Sequence, residues 1–173
     1  NTELEAIILE CNLIKKHKPR FNVLLRDDKS FPYIFISSEH DFPRIEKHRG
    51  AKNKPGRYYG PFASPDAVNR TINTIQRIFL LRSCTDKEVS AGNKLCFNYY
   101  LKRCSGPCGS RIKKEAYAKL IESADDFLSS GNSEKIQKEF TNQMYLASKN
   151  KNFELAASLR DRLKALKHIA QNN

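Results

Sequence analysis

Cys84, Cys96, Cys104 and Cys108 crowd one stretch of the chain, spaced C-x11-C-x7-C-x3-C. Four clustered cysteines in a chain that opens with no export signal favour metal over disulfides. Four thiolates suit tetrahedral Zn²⁺ or an iron–sulfur cluster. The spacing is neither a pair of C-x2-C knuckles nor a ferredoxin run, so it leaves both open, together with four reduced, unliganded thiols. Ser105-Gly106-Pro107 supplies a turn that can aim the last two sulfurs inward. Cys11 stands apart, on the apolar face of the first expected helix, and reads as a small core residue.

A second candidate is Glu10. Its helical neighbours at i−4, i−3, i+3 and i+4 are Ala6, Ile7, Leu13 and Ile14, all apolar. A carboxylate in such a setting costs on the order of several kcal/mol unless its charge is satisfied. A divalent cation would do this, since Mg²⁺ takes only one or two protein carboxylates. Pairing with Arg20, Arg26 or a lysine would do it equally well.

The third candidate is electrostatic. Lys plus Arg number 31 against 19 Asp plus Glu, a net charge of +12. Residues 12–57 hold 12 basic groups and five acids, and the densest run is Lys15, Lys16, His17, Lys18 and Arg20. Such a balance points to a polyanion, because phosphates release counterions to Lys and Arg. The run can also serve as a solvated helix end favoured by the dipole.

The elements that must position these groups follow from periodicity and punctuation. Thr2 with Glu5 is a capping-box pattern, and a helix is expected from Glu3 to His17, stopped by Pro19. It is apolar nearly all round, which predicts burial between other elements. Tyr33 to Ser37 reads as a strand, Arg44 to His48 as its return, and Tyr58 to Phe62 as a short strand or ordered loop. Ser64-Pro65-Asp66 starts a helix with the stripe Val68, Ile72, Ile75 and Phe79. Thr85 to Lys94 reads as a loop, and Phe97 to Lys102 as one short helix between cysteines. From Lys113 the pattern is helical: about 113–129, 133–149 and 153–169, with Asn150-Lys151-Asn152 turning the last two into an αα-hairpin. Phe153 at that turn and Ala156-Ala157 after it offer an anchor beside a small-residue surface. The hairpin can dock on another helical pair or pack back on this chain's own core. Boundaries are expected near Gly56 to Tyr58 and near Ser130 to Asn132.

Composition bounds the rest. A chain of 173 residues, 39% hydrophobic and 29% charged, allows one ordinary domain or a few small ones. No apolar run exceeds four residues, so a transmembrane span and a secretory signal are excluded for these residues and no membrane partner is expected. Position 1 is Asn, and the expectation is a chain that starts inside a longer reading frame or after processing.

The long block Glu5-Ala6-Ile7-Ile8-Leu9-Glu10, Asn12 to Asn22 and Leu25 to Ile34 resembles the UvrC family, incision subunits of the bacterial UvrABC nucleotide excision repair system. Tyr59-Gly60-Pro61-Phe62, Leu81-Arg82-Ser83-Cys84, Tyr99 to Cys104 and Gly106-Pro107-Cys108 match further along. Phe153-Glu154 with Ala156 to Asp161 looks like the UVR motif. The resemblance implies an α+β chain. Residues 1–56 would be the C-terminal part of a GIY-YIG α/β nuclease domain, 57–131 a cysteine-rich, mainly helical connector, and 132–173 an antiparallel helical hairpin, the UVR domain. Glu10 falls on the family's metal-binding glutamate and Asn22 on its active-site asparagine, implying phosphodiester hydrolysis with Mg²⁺ or Mn²⁺. The family's motif tyrosines and arginine lie upstream of the acidic helix and are not in this sequence, so the chain alone is expected not to cut. The four cysteines imply a 4Fe–4S cluster, with Zn²⁺ as the alternative. The resemblance implies UvrB as partner, through Phe153, Ala156, Ala157, Arg160 and Leu163. It also implies damaged double-stranded DNA, with Lys15, Lys16, Lys18, Arg20 and Lys29 as the DNA-facing residues, and a cytoplasmic location. Rival readings are a non-catalytic UVR adapter with a metal site, and a plain nucleic-acid-binding module with a structural metal.

Overall fold

The computed structural model describes residues 3–21, 31–62, 64–92, 95–130 and 133–171. The elements run α1 (Glu3–His17), β1 (Tyr33–Ser37), β2 (Ile45–His48), β3 (Gly56–Tyr59), α2 (Pro65–Phe79), α3 (Asp86–Ser90), α4 (Phe97–Tyr100), α5 (Lys114–Ser130), α6 (Glu134–Lys149) and α7 (Phe153–Gln171). A 3₁₀ turn, Pro107–Gly109, lies between α4 and α5. The result is a mixed α+β chain with one small antiparallel sheet. No helix among the described residues is long and apolar enough to cross a membrane.

The sheet has the order β2-β1-β3, both pairs antiparallel, with Tyr33 opposite His48 and Ile34 opposite Tyr59. Successive side chains of a strand point to opposite faces. Ile34 and Ile36 accordingly enter the main core with Ile45, beneath α2. Phe35, on the other face, stacks on Tyr58 at 4.7 Å between ring centres, and Lys52 sits 4.2 Å over Tyr33. Both faces of β1 are therefore covered, and Tyr33 to Ile36 are buried. A division at Gly56 would cut this sheet, because β3 begins there and pairs with β1.

Helix α2 begins as its sequence dictates. Ser64 caps it by accepting from the Ala67 N–H, and Pro65 occupies the first turn. Its stripe of Val68, Ile72, Ile75, Ile78 and Phe79 is buried. One side meets β1 and β2, while others meet α5 and α7. Phe79 is the hinge of this packing, 6.2 Å from Phe127 of α5 and 6.4 Å from Phe140 of α6.

Two expectations need correction, and one of two alternatives left open for the hairpin is observed. The first helix is not buried all round. Ile8 is enclosed, but Leu9 and Leu13 are 52% and 44% exposed, because α1 meets α5 and α7 on one side only. The loop expected over Thr85 to Lys94 contains α3, set by a closed capping box between Thr85 and Glu88. The hairpin does pack on this chain's own core: Ile136, Phe140, Leu159, Leu163 and Leu166 join the same cluster as the α2 stripe.

Candidate functional site

The chain leaves α2 through Leu80, in the left-handed conformation, and runs at once into Leu81-Arg82-Ser83-Cys84. The second half of the cysteine set is folded back onto the same point, where the Ser105 N–H donates to the Leu80 carbonyl at 2.9 Å. Gly106, at φ +75°, turns the chain so that its N–H donates to Cys104 Sγ at 3.4 Å. Only glycine fits there, since a Cβ would meet the Tyr99 ring at 2.5 Å. Cys104 and Cys108 are buried, Cys84 and Cys96 half-buried, and all four are free thiols.

The four thiols share one field. Burial pushes the Cys84 thiol up, Arg82 pulls it down, and Cys108 and Cys96 raise it further. Burial pushes Cys104 to about 11, with Cys96, Cys84 and Cys108 adding to the rise against the Gly106 N–H. Cys84 and Cys104, held protonated chiefly by burial, gain from a cation that converts them to thiolates. Among the described residues, no three His, Cys, Asp or Glu side chains form a group that would hold a metal ion as placed.

Arg82, fully buried, fixes this corner to the rest of the fold. Its Nε donates to the Phe42 carbonyl at 2.6 Å and its Nη1 to the Cys84 carbonyl at 2.7 Å, while Nη2 pairs with Asp86. Its backbone N–H donates to the Tyr117 hydroxyl at 3.1 Å, and that hydroxyl donates to the Pro43 carbonyl at 3.0 Å. One side chain thus ties the β1–β2 connection, the first cysteine and α3 together. No sequence motif assigns Arg82 a role of this kind. The available signal was a charge directly after the apolar run Ile78 to Leu81.

The other expected residues scatter. Glu10 lies on the solvent side of α1. The burial argument for a bound cation therefore fails, because a hydrated carboxylate carries no such cost. Asn22 and Lys29 lie outside the described residues, and so does the side chain of Lys15. Lys16, Lys18 and Arg20 are exposed; the Lys18 N–H closes α1 on the Ile14 carbonyl at 2.9 Å, and Arg20 lies over the Phe21 ring.

On the hairpin, Phe153 is 66% exposed, and Tyr145, Leu146 and Leu155 are exposed near the same tip. Ala156 and Ala157 are half-buried and Arg160 is exposed. Leu163, expected to face the partner, is 7% exposed and belongs to the core cluster with the α2 stripe. Arg162 was not expected to matter. It donates to the Ile78 carbonyl, lies 4.1 Å over the Phe140 ring, and burial lowers its pKa to about 10 against the pull of Glu139.

Three family models match in order along the chain: the UvrC-like GIY-YIG domain over residues 1–23, the UvrC/Cho excinuclease middle domain over 31–127, and the UvrB/uvrC motif over 134–169. The middle-domain match takes in all three strands, on both sides of the boundary expected near Gly56 to Tyr58. A helix, a thiol-bearing α+β body and a helical hairpin follow one another in the order of these three family models. The chain belongs to the UvrC family. It is 54% identical to the UvrABC system protein C of Mesorhizobium japonicum over 168 residues, 97% of this chain and 24% of that protein. The UvrABC system protein C of Rhizobium etli and that of Sphingopyxis alaskensis are also 54% identical over 97% of the chain, covering 25% and 26% of those proteins. The chain spans about a quarter of the length of these curated relatives. No solved structure matches it.

Proposed function

We propose that this chain is the segment of a DNA excision-repair nuclease subunit that joins the 3′-incising nuclease domain to its UvrB-docking hairpin. The observation that carries the reading is the hairpin's two-sidedness. Its inner face is consumed by α2, while its tip presents Phe153, Tyr145, Leu146 and Leu155 to solvent. Apolar tips of that kind bury against a partner, and aromatic anchors dominate such contacts. The partner in this reading is UvrB.

The cysteine corner would hold a metal centre that locks the connector. Its donor set is four thiols, burial holds Cys84 and Cys104 protonated until a cation offsets the cost of their charge, and the Gly106 N–H already donates to one sulfur. The family resemblance favours a 4Fe–4S cluster over Zn²⁺, with Cys84, Cys96, Cys104 and Cys108 as its ligands. Bound there, it would supply cross-linking of the connector.

Glu10 would hold the Mg²⁺ or Mn²⁺ that stabilises charge on the scissile phosphate of damaged double-stranded DNA, with Asn22 beside it in the nuclease site. Support for these two roles is the family resemblance and the match over residues 1–23. Lys16, Lys18 and Arg20, exposed beyond α1, suit the phosphate backbone. The test uses the full-length protein. Glu10→Gln is expected to lose 3′ incision while keeping UvrB capture, and Phe153→Ala to lose capture. Normal incision by Glu10→Gln, or an unchanged UvrB Kd for Phe153→Ala, refutes the corresponding assignment.

A further inference from the structure

Between the end of α4 and the start of α7 lies an open groove of about 550 Å³. Leu101, Lys102 and Arg103 form one wall; Phe153 and Ala157 lie on the other. A single polar bridge crosses it, Lys102 to Glu154 at 3.4 Å. The cysteine wall is itself apolar on its outer side. Phe97 is 73% exposed, Tyr100 67% and Leu101 43%. Residues at i, i+3 and i+4 of a helix share a face, so these three form one ridge that continues into the groove at Leu101.

We infer that the hairpin's partner is gripped from both sides, by α7 and by this ridge of the cysteine-bearing connector. The inference rests on the hairpin being the docking element. Two observations carry it beyond that reading. The first is continuity: Phe153 and Leu101 line one cavity, so a helix seated on Phe153 covers Leu101 as well. The second is charge. The groove's two carboxylates are already paired, Glu154 with Lys102 and Asp161 with Arg160. Among the described residues, Arg77 and Arg103, which also line it, have no ion-pair partner. The occupant the groove fits is therefore an apolar helix with acidic flanks, presented by the same partner. Ala157 permits its close approach.

The test measures the Kd of the full-length protein for purified UvrB by calorimetry, for Leu101→Asp, Arg103→Glu and Phe153→Ala. Leu101→Asp and Arg103→Glu are each expected to weaken binding by about tenfold or more. Unchanged binding in both, with Phe153→Ala weakened, overturns the two-sided grip and leaves hairpin docking intact. Unchanged binding for Phe153→Ala overturns hairpin docking and this inference together. If Arg103→Glu instead lowers affinity for a DNA duplex in the absence of UvrB and leaves the UvrB Kd alone, the groove wall serves nucleic acid and the inference is overturned. Thermal midpoint and metal content are read in parallel. Should Leu101→Asp disturb either, Tyr100→Ser, on the exposed ridge, decides in its place.

Discussion

Replacing Arg82 by Met should destabilise this chain more than any single surface change. The methionine fills much of the same space and carries no donors. Two carbonyls, those of Phe42 and Cys84, lose a charged donor at 2.6 and 2.7 Å. Hydrogen bonds to a charged partner contribute about 1.5–3 kcal/mol each, and acceptors left buried bear their full desolvation cost. The ion pair with Asp86 adds little, since that carboxylate is 59% exposed and rehydrates. Relief of the guanidinium's own desolvation offsets part of the loss. The net is about 3 kcal/mol, a large part of the ~5–15 kcal/mol that holds a domain together. Urea unfolding followed by circular dichroism should show a midpoint lowered by about 1–2 M at unchanged slope. Arg82→Lys, which keeps the charge but cannot reach three partners, should fall between. A midpoint unchanged in Arg82→Met would refute the claim that this side chain holds the corner together.

Gly106→Ala must place a Cβ against the Tyr99 ring at φ +75°. Strain of about 1–3 kcal/mol should appear as a lower thermal midpoint and poorer metal retention, and wild-type values of both would count against the turn's role. The Asp86 carboxyl is held below its ordinary value of 3.8 by the hydrogen bond from Arg82. Its stabilisation is therefore present above that value and lost as pH falls through the lower folded value. Asp86→Asn should be less stable than wild type at neutral pH and flatter below about pH 4, and parallel acid limbs of urea midpoint against pH would refute this.

What could be read in advance was local. The cap at Ser64, the stripe of α2 and the Asn150–Asn152 turn are encoded within a few residues, and all are present. The crowding of the four cysteines was legible from spacing. What holds them was not, because Arg82 finds Phe42 and Tyr117 at separations of 40 and 35 residues. Glu10 shows the opposite failure. Its neighbours along the helix are apolar, yet exposure depends on which side of α1 meets α5, and periodicity does not report that. Leu163 and Phe153 lie on the same helix, and only the position of α2 decides which is core and which is exposed. The short α3 carried its signal plainly in Thr85 and Glu88, but a five-residue helix offers no periodicity to support it.

Helix α2 touches the sheet, α5 and α7, and α1 also touches α5 and α7. The hairpin is thus clamped to the same block that holds α1. Whatever docks at its tip is held at a set distance and heading from α1, like the jaws of a caliper. Reach is then a property of this rigid frame, and the length of chain between α5 and α6 has no part in setting it.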